Sequence, residues 1–235
     1  MINTQSLTKY YGKTLGIENL DLNIKEAEIF GLLGPNGAGK TTTIRLLMGL
    51  LKSTKGTARI NNFDCWKETV EIKRLCGYVP GDVRLYQNHT GGKLINLYTE
   101  VRGSAKLSDN LIDRLDFDLT KKIKTLSKGN KQKLAIILAL MHQPEVLILD
   151  EPTSGLDPLM QREFYKILKE FQEKGATIFV SSHFLPEVER ICDRAAIIKE
   201  GKLVTVEEVK ELRSKAKDLT SKHSSLEEIF LEHYQ

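Results

Sequence analysis

The chain lacks several things that would each have pointed somewhere definite. It has three cysteines among 235 residues. Cys65, Cys76 and Cys192 are odd in number, far apart and in no C-x-x-C pattern, so a reduced, cytosolic compartment is the simplest inference. No apolar run approaches the ~18 residues needed to span a bilayer. If the protein works at a membrane, another chain must do the spanning. The start, MINTQSLTKYYG, has no apolar h-region and does not read as a signal peptide. Charge of one sign is scarce as well. The formal net charge is +4, from 35 basic and 31 acidic residues, with no long basic block, so no nucleic acid is expected as a partner. Internal repeats and low-complexity segments are missing too. What remains is a chain with 40% hydrophobic and 28% charged residues, suited to a soluble globular protein with a real core. Its length fits one large domain or two small ones.

Leu20, Leu22 and Ile24 alternate with polar residues, which predicts a half-buried strand. Residues 25–28, Lys-Glu-Ala-Glu, read as a hairpin connection into IFGLL (29–33). That run is apolar on both faces, as a central parallel strand would be. A Gly-rich loop and a helix from about Lys40 to Leu51 follow. GTARINN (56–62) reads as an edge strand. From Asp82 to Gln143 the texture is helical. Strands return at 145–150, 176–182 and 195–201, with helices between them at about 158–174 and 186–192. This alternation predicts an α/β fold with a mainly parallel sheet and an inserted helical subdomain at 82–143. The tail after Gly201 is short, charged and expected to be helical.

The decisive signal is GLLGPNGAGKTTT. Gly34, Gly39, Lys40 and Thr41 fit G-x-x-x-x-G-K-[ST], after an apolar strand and before a helix, which is the context a phosphate-binding loop requires. Glycines let consecutive N–H groups turn inward around an anion, and the helix dipole adds to the pull. Lys40 would reach the β- and γ-phosphates and the Thr41 hydroxyl would bind Mg²⁺. VLILDEP supplies a second half. Asp150 ends a buried strand, where ligands of such sheets bind, and is the expected Mg²⁺ partner. Glu151 beside it would polarise an attacking water as general base. Ahead of that strand, KTLSKGNKQK (124–133) is rich in lysine, has no acid and runs straight into the apolar segment Leu134–Met141. Taken alone it reads as a helix capped by Ser127, with Gly129 easing the turn.

These motifs, in this order, resemble the nucleotide-binding subunits of ATP-binding-cassette (ABC) transporters. The resemblance covers roughly residues 3–205: the phosphate loop Gly34–Thr42, LSKGN at 126–130, LILDEP at 147–152, SGLD at 154–157 and SSH at 181–183. It implies a P-loop NTPase core with an N-terminal antiparallel β subdomain, residues 1–205 as the ATPase domain and 206–235 as a tail. It also implies ATP and Mg²⁺ as ligands. The nucleotide would contact Gly34, Pro35, Asn36, Gly37, Ala38, Gly39, Lys40, Thr41 and Thr42. LSKGN stands where the family signature is typically Leu-Ser-Gly-Gly-Gln, so Ser127 and Gly129 match while Lys128 and Asn130 depart. In the family this helix start faces ATP held by another copy, which would give the lysine-rich turn an anion to meet. His183 would contact the γ-phosphate or the attacking water, and Asp157 would lie in the loop that crosses between sites. Tyr11 matches the aromatic that stacks on adenine, with Tyr10 as the alternative. The family's usual glutamine is replaced by Gly81, so Asp82 would take over a Mg²⁺ or water contact, unless it merely caps a helix.

The implied function is an ATPase subunit, peripheral on the cytoplasmic face of the membrane, that pairs with a second copy or a similar subunit and drives a separate integral-membrane permease. The chain looks like the drug- or polymer-exporting type. A soluble ABC protein acting on ribosomes or DNA is the alternative, although neither a second cassette nor a long coiled coil is present. An unrelated P-loop kinase or GTPase fits the late SSH poorly, and no N-K-x-D motif is evident.

Overall fold

The computed structural model describes residues 1–103 and 108–209. The chain begins with β1 (Ile2–Tyr11) and β2 (Thr14–Ile24), then crosses to β3 (Ile29–Leu33) and α1 (Lys40–Leu47). β4 (Lys55–Ile60), β5 (Phe63–Asp64), α2 (Thr69–Leu75) and β6 (Cys76–Val79) follow. The helical insert holds α3 (Gly91–Arg102), α4 (Ser108–Arg114), a single 3-10 turn at Ile123–Thr125 and α5 (Lys128–Leu140). The chain then alternates through β7 (Val146–Asp150), α6 (Pro158–Glu173), β8 (Thr177–Ser182), α7 (Leu185–Ile191), β9 (Arg194–Lys199) and β10 (Lys202–Glu208).

Two sheets result. One is antiparallel, in the order β2-β1-β4-β5; the other has six strands in the order β10-β9-β3-β8-β7-β6. In the larger sheet only β10 runs antiparallel to its neighbour. β3, β7 and β8 are buried along their whole length, because both sheet faces are covered. Successive side chains point to opposite faces, and the core divides accordingly. Ile29, Leu33, Leu147 and Leu149 pack toward α5, α6 and α7. Phe30, Leu32, Val146 and Ile148 pack toward α1 and the antiparallel sheet, where Phe30 stacks on Phe179 at 6.1 Å. Arg114 fastens the insert to α6: it reaches Glu170 through two bonds of 2.7 and 2.8 Å and Glu163 through one of 2.7 Å.

Four expectations need correcting. Residues 25–28 do not close a hairpin; β2 and β3 lie in different sheets, and the link carries the chain between them. β4 is not an edge strand, since β1 and β5 flank it. α1 stops at Leu47 rather than Leu51, because Gly49 takes a left-handed φ of +62°. The tail expected to be helical from 206 opens with the end of β10, and residues 210–235 lie outside the described residues. The cysteines are free and buried, and burial pushes the Cys65 and Cys76 thiols up to about 12, which makes them inert fillers of the core. No helix among the described residues is long and apolar enough to cross a membrane.

Candidate active site

β3, β7 and β8 lie side by side and in parallel, so their carboxyl ends deliver three loops to one place. After β3 comes the Gly34–Thr42 loop. Gly39 has a φ of +110°, and a methyl group on it would meet Ile17 Cγ2 at 2.6 Å, so only glycine fits. α1 starts directly after it with no side-chain cap, which leaves its first N–H groups available to an anion. Lys40 is only 5% exposed, and its ammonium donates to the carbonyls of Gly34 (2.7 Å) and Pro35 (3.0 Å).

The loop after β7 presents two carboxylates in different ways. Asp150 is buried; its Oδ2 accepts from the Thr41 hydroxyl at 2.8 Å and its Oδ1 from the Ser181 hydroxyl at 2.6 Å. Among the described residues no cation pairs with it. Burial, helped by the Asp150 charge, pushes the neighbouring Tyr78 hydroxyl up to about 12. Glu151 adopts a left-handed φ of +47°, held by its N–H donating to Ser181 O (3.2 Å) and Ser181 Oγ (3.1 Å). The turn swings its carboxylate toward the phosphate loop. Oε1 lies 3.3 Å from Lys40 Nζ and Oε2 lies 3.2 Å from His183 Nδ1. The third loop, after β8, thereby brings His183 to the same spot.

Tyr11 and Tyr10 diverge. The Tyr11 hydroxyl lies 3.4 Å from Thr42 Oγ1 and its ring is exposed beside the loop, whereas Tyr10 donates to Glu18 Oε1 at 3.1 Å. Asp82 shares an open cleft of about 660 Å³ with Thr41, Asp150 and Glu151. It caps no helix, since α3 starts at Gly91 behind the Thr90 cap. Its carboxylate instead holds Arg84 Nε at 2.8 Å.

Ser127, Gly129 and Asp157 stand apart from this group. Ser127 caps α5, its Oγ accepting from Asn130 N–H at 3.2 Å. Asp157 caps α6, accepting from Leu159 and Met160 N–H at 3.0 Å. The Met160 N–H does most to hold the Asp157 carboxyl below its usual range. No hydrogen bond or ion pair among the described residues joins these three to Lys40 or Thr41. The start of α5 meets the loop after Glu151 instead. A methyl on Gly129 would lie 2.5 Å from Gly155 O, Lys128 Nζ donates to Ser154 Oγ at 2.8 Å, and buried Gln132 donates to Pro152 O at 2.8 Å. Sequence reasoning assigned no role to Ser181, although SSH contains it, nor to Gln132 inside the lysine-rich turn.

The family model for "ABC transporter" matches residues 17–154. The bacitracin transport ATP-binding protein BcrA of Bacillus licheniformis is 41% identical over 211 residues, 87% of this chain and 68% of that protein. The linearmycin resistance ATP-binding protein LnrL of Bacillus subtilis is 36% identical over 215 residues, 88% of this chain and 68% of that protein. Among solved structures, an ATP-binding subunit of an ABC transporter superposes with a TM-score of 0.89 at 27% identity over the full length of both chains. A dimeric bacterial ABC transporter cassette superposes with a TM-score of 0.82 at 26% identity, covering 89% of this chain and 99% of that one. The chain belongs to the ABC transporter family, as an ATP-binding, ATP-hydrolysing subunit.

Proposed function

We propose that two copies of this chain close around two ATP molecules, and that hydrolysis reopens them to drive a separate membrane permease in export. The carrying observation is the Glu151 carboxylate set between Lys40 and His183, beside the Thr41–Asp150 pair. Lys40 would exchange the Gly34 and Pro35 carbonyls for phosphate oxygens, while the start of α1 binds the same anion. Thr41 and Asp150 are hard oxygen donors with no competing cation among the described residues, and they suit Mg²⁺. Mg²⁺ held there with the nucleotide would neutralise phosphate charge. Glu151 would accept the proton of the attacking water, and His183 would orient that water or the γ-phosphate. Tyr11 would stack on the adenine. Ser127, Gly129 and Asp157, remote from the chain's own loop, would serve the site of the second copy.

The relatives named for bacitracin transport and linearmycin resistance support export of an antibiotic-like compound over work on ribosomes or DNA. In this reading the subunit sits on the cytoplasmic face of the membrane, with residues 1–205 as the ATPase domain. The 80–85 segment lies between the Asp82 cleft and a groove of about 300 Å³ against α3 and α5, a suitable place to pass motion to the permease.

Glu151→Gln tests the proposal. A general base contributes about 10²–10⁴-fold, so turnover should fall by that factor while ATP still binds, and an ATP-loaded dimer should accumulate on size exclusion. Hydrolysis at the wild-type rate would refute the assignment.

A further inference from the structure

Behind the Glu151–His183 pair lies a buried carboxylate that the proposed chemistry does not use. Glu187, in α7, is 5% exposed. Its Oε2 accepts from the Ser182 hydroxyl at 2.6 Å and its Oε1 from the Tyr165 hydroxyl at 3.4 Å. The Thr153 side chain also faces it and stabilises its charge. Among the described residues no ion pair offsets that charge. A buried carboxylate held by hydroxyls alone is costly, and an apolar residue would pack here with less penalty. Burial raises its pKa, as expected of such a site.

What its partners hold explains the arrangement. Ser182 has one hydroxyl proton and gives it to Glu187. That fixes the Ser182 oxygen to accept from Phe184 N–H at 3.0 Å, which closes the turn presenting His183. The Ser182 carbonyl accepts from Gly34 N–H at 3.2 Å, at the root of the phosphate loop. Thr153, on the other side, is two residues beyond Glu151. We propose that Glu187 is a positioning residue for ATP hydrolysis: its carboxylate joins the turn bearing His183 to the turn following Glu151, and so fixes the spacing of those two groups. The inference rests on the reading of His183 and Glu151 given above.

The test uses the full chain, with kcat and KM for ATP, binding of a fluorescent ATP analogue and a melting curve for each variant. Misplacing a reacting group by about 1 Å costs on the order of 10²-fold. Glu187→Ala should therefore lower kcat by about 10- to 100-fold and leave KM and analogue affinity within about twofold. Glu187→Gln keeps an acceptor for Ser182 and a donor for Tyr165, and should recover most of the rate. The decisive comparison is with His183→Ala. If Glu187 acts through His183, adding Glu187→Ala to that background should cost less than about a further twofold.

Multiplying losses, a rise in KM that accounts for the defect, or a glutamine as damaging as alanine would each overturn the proposal. If Glu187→Ala does not fold, Ser182→Ala cuts the same link and should give the same kcat-only, non-multiplying loss. If His183→Ala alone leaves kcat intact, the site reading itself is wrong. A slow His183→Ala beside a fully active Glu187→Ala removes only this inference.

Discussion

Gly81 lies flat against Asp150. A methyl group built on Gly81 would come 3.0 Å from Asp150 Oδ2 and 3.2 Å from its Cγ. The carboxylate cannot retreat easily, because Thr41 and Ser181 hold both of its oxygens. Gly81→Ala should therefore push Asp150 by a few tenths of an ångström and raise the Mg²⁺ concentration for half-maximal ATPase activity several-fold. Gly81→Gln, although it restores the family's usual residue, should do no better, since it carries the same Cβ. Unchanged metal dependence in both variants would show that Asp150 tolerates the shift.

Tyr11→Ala should weaken ATP and GTP binding together. Base–aromatic stacking contributes about 1–3 kcal/mol and does not read base identity, so a loss of about 5- to 150-fold is expected by equilibrium titration. Tyr11→Phe should be nearly silent. Tyr10→Phe should leave nucleotide affinity alone, because that hydroxyl is spent on Glu18.

Ser127→Asp separates the two copies' contributions. Aspartate caps a helix about as well as serine, so the melting curve should stay within a few degrees of wild type. Its charge would nevertheless oppose the γ-phosphate offered by the second copy. Dilute, monomeric protein should bind ATP normally, while the Glu151→Gln background should lose its ATP-dependent dimer. A collapse of monomer affinity would place Ser127 in its own chain's site instead.

His142 follows α5 and lines the groove beside the 80–85 segment. Among the described residues neither ring nitrogen has a hydrogen-bond partner, although a Cys76 backbone group lies near enough to favour protonation slightly. Burial first, and the Arg102 charge second, lower its pKa from 6.5 to about 4. Between those values the unfolded chain binds a proton that the native state refuses, so stability falls as the pH drops through that window. His142→Leu should remove this component. Urea midpoints of the two proteins should run parallel above pH 7 and diverge below about 6.5 in favour of the variant. Parallel curves throughout would mean that His142 titrates normally.

What could be read from sequence was whatever a local stretch determines by itself. The phosphate loop needs its glycines and Lys40 at fixed spacing, and a strand such as β7, covered on both faces, needs an unbroken apolar run. β1 escaped because Ser6, at a φ of +45°, introduces a bulge between Thr4 and Leu7 that breaks the period of two. The interior place of β4 depends on strand order, which no single segment encodes. The same holds at the site. Ser181 at the end of β8 grips Asp150 at the end of β7, so its role appears only once those strands are side by side. Glu187 grips Ser182 locally, 5 residues away in sequence, but meets Tyr165 and Thr153 only in the fold. Asp82 remained open to several readings because its partner, Arg84, was one plausible neighbour among many.

The contact between Gly129 and Gly155 bears on how such a chain can vary over time. Even alanine at 129 would drive a methyl to 2.5 Å from the Gly155 carbonyl. The lysine-rich turn and the segment behind Glu151 therefore cannot drift separately. A lineage could enlarge one only by reshaping the other, and each trial would disturb the arm that carries the candidate base. Lys128, which departs from the usual signature, belongs to that seam as well: its Nζ donates to Ser154 Oγ at 2.8 Å, and a methyl on Gly155 would lie 3.2 Å from its Cγ.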